Sequence, residues 1–332
     1  MSAARSSSRR LQWGAVDPET TRAAAPRGRS GSTGARPPRA RAGVAALLVG
    51  LVGLVALGGC AEDPSALDQV RVVGEPGEAP TLEYPQPLAV SAPDATLVWE
   101  GDGPELTEGR AVLVDYYAEQ ASDGALVVET HSSEPRPFLL TAEDLGPDIY
   151  EALRGRTVGS RVLHVVPADA TADSPTVTVF DILPTRAQGE AVQPRDGLPV
   201  VTLADDGAPR MTIPEGVEPP ADLVVQPLIR GTGPQVAPGQ VILVQFTGVT
   251  WSDGEVFDTS WAPGEVPVAF PIGVGSVVAG WDQGLVEQPV GSQVLLVVPP
   301  SRGYGGTGTE LADETLVFVV DILAARGGPA PQ

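Results

Sequence analysis

The chain is written twice, and that constrains its architecture more than any other feature. "AVLVDYYAEQASDGALVVET" (111–130) runs beside "VILVQFTGVTWSDGEVFDTS" (241–260), "VGSRVLHVVP" (158–167) beside "VGSQVLLVVP" (290–299), and "VFDIL" (179–183) beside "VVDIL" (319–323). Even the lead-ins agree: Ala79-Pro80 matches Ala208-Pro209, and Gly101-Asp102-Gly103-Pro104 matches Gly231-Thr232-Gly233-Pro234. A period of about 130 residues is far longer than a solenoid unit, so the pattern implies two copies of one domain. Within each copy Val, Ile and Leu alternate or form short runs between Asp-Gly and Pro-Gly turns, which is the signature of strands. One segment per copy reads as helix. It is "AGWDQGLVEQ" (279–288), with Trp281 and Leu285 on one face, and its counterpart "GPDIYEALRG" (146–155), with Ile149 and Leu153 at the same spacing. The expectation is an α+β unit, a small antiparallel sheet curled around one short helix, made twice. A Pro-rich, charged stretch over 186–197 separates the copies as a linker.

The first sixty residues have a different character. Residues 1–42 hold nine arginines, and "GVAALLVGLVGLVALGGC" (43–60) then runs without a charge to the only cysteine. A basic region, an apolar region and small residues at a cleavage point make a signal segment. Its ending, Leu57-Gly58-Gly59-Cys60, resembles the lipobox of bacterial lipoproteins, which implies acylation of Cys60 and attachment to the outer face of a cell membrane. The alternative is an uncleaved membrane anchor, for which the run is near the lower length limit. Residues 60–67 read as a lipidated tether, of which Glu62, Asp63, Pro64 and Ser65 are the solvated part.

Charge excludes one class of partner. Of 21 basic and 42 acidic residues, nine arginines and two carboxylates fall in the leader, so 12 and 40 remain, a net of −28. Such a surface repels phosphate backbones, and nucleic acid is not an expected partner. The two histidines, His131 and His164, lie in the first copy with no ligand-like cluster, so neither metal nor cofactor is expected.

"GYGGTG" (303–308) satisfies G-x-G-x-x-G, the dinucleotide pattern, but that pattern needs a helix after the loop to present its N–H groups to the pyrophosphate. Here "TELADE" leads within a few residues into "TLVFVVDIL" (315–323), another strand, so the glycines serve a different purpose. "FTG…DGEVFDTS", "VVAGWDQGL", "VGSQVLLVVPP", "YGGTG" and "TLVFVVDIL" together, in that order over about 221–325, resemble the FKBP-type peptidyl-prolyl cis/trans isomerases.

The resemblance implies a catalytic pocket floored by Trp281 and walled by Phe257 and Phe318, with Tyr304 and Asp258 as its polar groups. It implies substrate contacts from Phe246, Val277, Phe270 and Leu311, and from the Val278 N–H, which would receive a substrate carbonyl. The implied ligands are proline-containing exported polypeptides, with macrolides as a further class. Three departures stand out. Phe246 replaces a Tyr that usually contacts the aspartate, no Arg follows Asp258, and the loop after Tyr304 is shortened, with Leu311 as a stand-in for the missing apolar residues. The first copy departs further. Val128 is read as replacing Phe257, Glu129 as replacing Asp258, Ile149 as replacing Trp281 and Thr178 as replacing Phe318, while a gap of about eight residues removes the Tyr304 equivalent.

The organisation expected is therefore a signal peptide (1–59), the tether (60–67), a degenerate FKBP-like domain (68–185), the linker (186–197), a lead-in strand segment (198–220), an isomerase domain (221–326) and a tail (327–332). The expected function is prolyl isomerisation during folding of exported proteins. Two rivals stand beside it: a membrane-anchored binding module or holdase that keeps the pocket without useful turnover, and a surface antigen or adhesin scaffold.

Overall fold

The computed structural model describes residues 65–169 and 172–328. The leader and Cys60 lie outside the described residues, and so do residues 61–64 of the tether. Among the described residues no helix is long and apolar enough to cross a membrane.

Among the described residues seventeen strands follow in chain order: β1 Arg71–Val73, β2 Thr81–Glu83, β3 Asp94–Trp99, β4 Ala111–Gln120, β5 Leu126–Glu129, β6 Arg136–Leu139, β7 Arg161–Val166, β8 Thr176–Leu183, β9 Glu190–Ala191, β10 Val200–Leu203, β11 Pro209–Thr212, β12 Val224–Arg230, β13 Val241–Thr250, β14 Val256–Thr259, β15 Val268–Pro271, β16 Gln293–Val298 and β17 Leu316–Arg326. The α-helices are α1 Ala142–Leu145, α2 Pro147–Leu153 and α3 Ala279–Leu285. One antiparallel sheet runs β3-β7-β8-β4-β5 with β6 also on β4; the other runs β12-β16-β17-β13-β14 with β15 on β13 and β9 added outside β12. The two orders match strand for strand, which is the duplication in three dimensions. The helices end earlier than the sequence pattern, at Leu153 and Leu285, and the first copy gains the extra turn α1, capped by the Thr141 hydroxyl accepting from Asp144 N–H.

The central strands are buried on both faces, which explains why they read as continuous apolar runs rather than alternating ones. β16 has every residue buried. In the first sheet one face packs Val112, Val114, Val162, Phe180 and Ile182 against Leu145, Ala152 and Leu153 of the helical segment. The other face, Leu163, Val165, Val177 and Val179, is covered by Leu67, Val70, Val72 and Leu82 around the hairpin β1–β2. The second sheet repeats this, with Leu198, Val201, Met211 and Ile213 around hairpin β10–β11 covering Leu295, Val297, Val317 and Val319. Each unit is therefore helix on sheet on hairpin. The hairpins are integral to the core, because without them an apolar sheet face would stand in water.

Two expectations change here. The 186–197 stretch is not a free linker: Glu190 and Ala191 pair with Arg230 and Ile229, and Ala187 N–H donates to Asp321 Oδ2 at 2.8 Å. A charged, proline-rich segment docks because the β12 edge and a buried carboxylate need hydrogen-bond partners. The tether also ends earlier than expected, since Ala66 and Leu67 pack on the first core. The two copies meet through Leu113, Leu243 and Ala324, and Arg326 of β17 reaches Asp115 Oδ2 (3.3 Å) and the His131 carbonyl (3.1 Å).

Candidate functional site

Strand register places the aromatic set of the second copy on one face. β13 pairs Gly248 with both Asp258 of β14 and Phe318 of β17, so the glycine sits under the two neighbouring rings. Phe257 and Phe318 meet edge to face at 5.5 Å. A Cβ on Gly248 would stand 2.6 Å from Phe257 Cζ and 2.9 Å from Phe318 Cε1, so only the bare backbone lets both rings pack there.

Trp281 is the hub. The helix α3 carries it against the sheet at 1% exposure, and it meets Phe246 at 5.3 Å, Phe270 at 5.3 Å and Phe318 at 5.4 Å, all edge to face. Phe246 and Phe270 also touch each other, at 6.2 Å. Edge-to-face geometry sets positive ring edges against negative faces, a preference of about 0.5–1.5 kcal/mol per pair beyond burial. The cluster is therefore rigid as well as apolar. Phe246, unlike a tyrosine, has nothing to hydrogen-bond and lies buried in this cluster.

Tyr304 comes from the turn after the 3-10 segment Pro300–Arg302. That turn is closed by Gly305 N–H to the Pro300 carbonyl at 2.8 Å, and a Cβ on Gly305 would stand 2.5 Å from that same carbonyl oxygen. The glycines of "GYGGTG" thus fold a loop that returns to β17, and no helix follows it. Burial pushes the Tyr304 phenol above its ordinary value, and the Asp258 charge adds to this, so the fold brings these two polar groups within electrostatic reach. The phenol remains a hydrogen-bond donor throughout the physiological range.

Val277 is buried and Val278 caps α3. Their loop is fixed by a residue the sequence reading passed over. Asp282 in the first turn of α3 accepts from Gly273 N–H (2.6 Å) and Gly275 N–H (2.7 Å). Both glycines sit at positive φ, a loop conformation that the sequence does not report. Leu311 is partly buried in the 303–315 loop, which closes on itself through Glu314 N–H to the Leu311 carbonyl, and no contact places it in the aromatic cluster.

The register corrects the comparison between copies. Ala118 pairs with Val128 as Gly248 pairs with Asp258, and Tyr117 pairs with Glu129 as Thr247 pairs with Thr259. Val127 therefore replaces Phe257, Val128 replaces Asp258 and Glu129 replaces Thr259, one position away from the sequence reading. The shared threonine that closes both segments had suggested the other register, whereas Thr130 and Ser260 are the true equivalents: each accepts the N–H of the facing strand, from Tyr116 and Phe246. Ile149 for Trp281 and Thr178 for Phe318 agree with the helix and strand positions. Tyr116 stands at the Phe246 position and His164 at that of Leu296.

Comparison with known proteins places the similarity in this second copy. The family described as FKBP-type peptidyl-prolyl cis-trans isomerase matches residues 233–323. An FK506-binding protein of Streptomyces anulatus is 42% identical over 120 residues, covering 35% of this chain and 95% of that protein. A probable FK506-binding protein of Corynebacterium glutamicum is 37% identical over 119 residues, 35% of this chain and 98% of that one. FK506-binding protein 2 of Debaryomyces hansenii is 40% identical over 92 residues, 27% of this chain and 67% of that one.

Proposed function

This chain belongs to the FKBP-type peptidyl-prolyl cis-trans isomerases, and from that premise we propose that its second repeat isomerises X-Pro bonds of exported polypeptides at the cell envelope. The reaction rotates an amide against a resonance barrier of about 18–20 kcal/mol. Uncatalysed, it takes tens to hundreds of seconds, slow enough to limit folding. The twisted amide has lost much of the dipole of the planar one, so a dry aromatic surface favours it over the ground state. In this reading Trp281 floors the pocket and Phe257 and Phe318 wall it, while Tyr304 and the Val278 N–H donate to substrate carbonyls. Asp258 supplies a fixed negative charge beside the twisting bond, and Phe246, Phe270 and Val277 hold these groups in place. No nucleophile or proton relay is required. Macrolides of the kind named in the relatives would occupy the same pocket.

The observation that carries the reading is the convergence of the aromatic cluster on Trp281, with Tyr304 within electrostatic reach of Asp258. The test is isomerisation of a proline-containing tetrapeptide by the full chain and by its Asp258→Ala and Phe318→Ala variants. No acceleration by folded wild-type protein would refute it. The envelope location rests on residues 43–60, with Cys60 as the proposed acylation site. Labelled fatty acid should enter the wild-type protein and not Cys60→Ser, and absence of label from both would refute the anchor.

A further inference from the structure

The first copy has lost three of the rings that fill the second. With Ile149 at the tryptophan position, Thr178 at that of Phe318 and Val127 at that of Phe257, the space between α2 and the sheet opens into a cavity of about 470 Å³. Its lining is mainly aliphatic and aromatic, with Tyr116, Phe138 and Phe180 among the walls. That volume falls within the usual range of about 300–1,000 Å³ for ligand sites. Asp144, Asp148, Thr176, Thr178 and His164 supply its polar side chains, and of these the histidine stands out. His164 on β7 is 3% exposed, lines the cavity, and its Nε2 has no hydrogen-bond partner among the described residues. A buried polar atom left unpaired is costly, so its presence points to a group that arrives from outside.

A second cleft, of about 430 Å³, adjoins the first and shares Asp148 and His164 with it. Asp94, Asp148 and Glu151 line it, with Arg156 as its one basic residue, while Asp144 adds a further carboxylate to the rim of the apolar cavity. Beside the cavity, β5 pairs only with β4 among the described strands. It exposes Leu126 at 55%, Val127 at 50% and Val128 at 40%, an apolar edge open to another extended chain.

We propose that the first repeat is a binding site for extended polypeptide segments that place one bulky apolar side chain in the cavity and a neighbouring lysine or arginine in the acidic cleft. Apolar burial supplies affinity and the carboxylates supply selectivity, since the rest of the acidic surface repels anionic chains. A polar group of the segment reaches His164 Nε2. Burial holds this histidine below its ordinary pKa, against the pull of Asp148 and Asp94, so it meets the ligand as a neutral imidazole. With no counterpart of Tyr304, and with Val128 in place of Asp258, the site binds without isomerising. This inference does not depend on catalysis by the second repeat.

The test is fluorescence anisotropy of the full chain with fluorescein-labelled acetyl-alanyl-phenylalanyl-lysyl-alanine amide, which contains no proline, beside the same peptide with glutamyl for lysyl or alanyl for phenylalanyl. Either replacement should weaken binding at least tenfold, and added salt should weaken the lysyl peptide alone. Ile149→Trp refills the cavity from the helix and Thr178→Phe refills it from the sheet, so that one of them reports if the other fails to fold. Each should reduce peptide affinity at least tenfold while tetrapeptide isomerisation stays at the wild-type rate. Asp148→Asn should weaken the lysyl peptide severalfold and leave the glutamyl peptide no weaker. The proposal is overturned if a folded refilled variant binds as wild type does, if the glutamyl peptide binds equally well, or if only a small apolar dye such as anilinonaphthalene sulfonate binds.

Discussion

Gly248→Ala adds one methyl group at the point where two pocket rings cross the backbone. The new Cβ would lie 2.6 Å from Phe257 Cζ and 2.9 and 3.0 Å from Phe318 Cε1 and Cδ1. Phe318 has no exposure and is wedged between Trp281 and Phe257, so it has nowhere to retreat. Phe257 is only partly buried and must swing outward. Overpacking of this kind typically costs about 1–3 kcal/mol. The alanine returns about 0.4–1 kcal/mol by restricting the unfolded chain, which leaves a net loss of up to about 2.6 kcal/mol. Catalysis suffers more than stability, because the side chain that moves is a pocket wall. We expect kcat/KM to fall about tenfold, equivalent to about 1.4 kcal/mol of transition-state stabilisation. The first repeat provides the control, since it carries Ala118 with Val127 at the same two places. Gly248→Ala with Phe257→Val should therefore recover stability by a coupling of about 0.5–2 kcal/mol while activity stays low. Urea unfolding and tetrapeptide isomerisation of the wild type, both single variants and the double variant complete the cycle. Wild-type stability and rate in Gly248→Ala would refute the steric argument.

Trp281→Ala removes the hub of four rings and should cost about 3–5 kcal/mol, a large part of a typical 5–15 kcal/mol, read as a steep fall in the urea midpoint together with loss of isomerisation. Tyr304→Phe removes one donor and should lower kcat/KM about two- to tenfold, as expected for a hydrogen bond of about 0.5–1.5 kcal/mol, with thermal stability nearly unchanged. Burial pushes the Asp321 carboxyl up to about 6 from an ordinary 3.8, although the Ala187 N–H, the Gln293 amide and Arg186 pull it down. The folded state therefore holds this proton more tightly than the unfolded chain, so the contribution is fully present below about pH 3.8 and is lost as the pH rises through about 6. Melting temperatures from pH 4 to 7 should show wild type losing ground to Asp321→Asn across that window, and parallel curves would contradict the assignment.

The duplication, the strand-rich character of each copy, the position of the one helix expected in each and the aromatic residues of the second site were all legible in the sequence. These depend on local patterning and on residue types at fixed spacing, which a linear reading preserves. Phe246, Phe257, Phe270, Trp281 and Phe318 form one cluster because strand alternation and the helix turn direct them to one side. Asp282 was overlooked because its partners are backbone N–H groups of a loop, and residue identity does not report those.

What only the tertiary structure decided is which partners complete each element. "QVLLVV" (293–298) reads as a buried strand, but the sequence cannot say that one of its faces needs the hairpin β10–β11. Residues 186–197 carry linker chemistry, yet an unfilled sheet edge and the buried Asp321 recruit them. The sequence reading placed the first copy's replacements one residue out of step, and a one-residue slip in a strand exchanges its two faces. The ungapped alignment of 111–130 with 241–260 already sets Val128, not Glu129, opposite the aspartate of the second copy, and the hydrogen-bonded register of β4 with β5 agrees. The cavity of the first copy was unreadable in the sequence. A deletion of side-chain volume becomes a site only where the surrounding backbone does not collapse into it, and that depends on the packing of the whole unit.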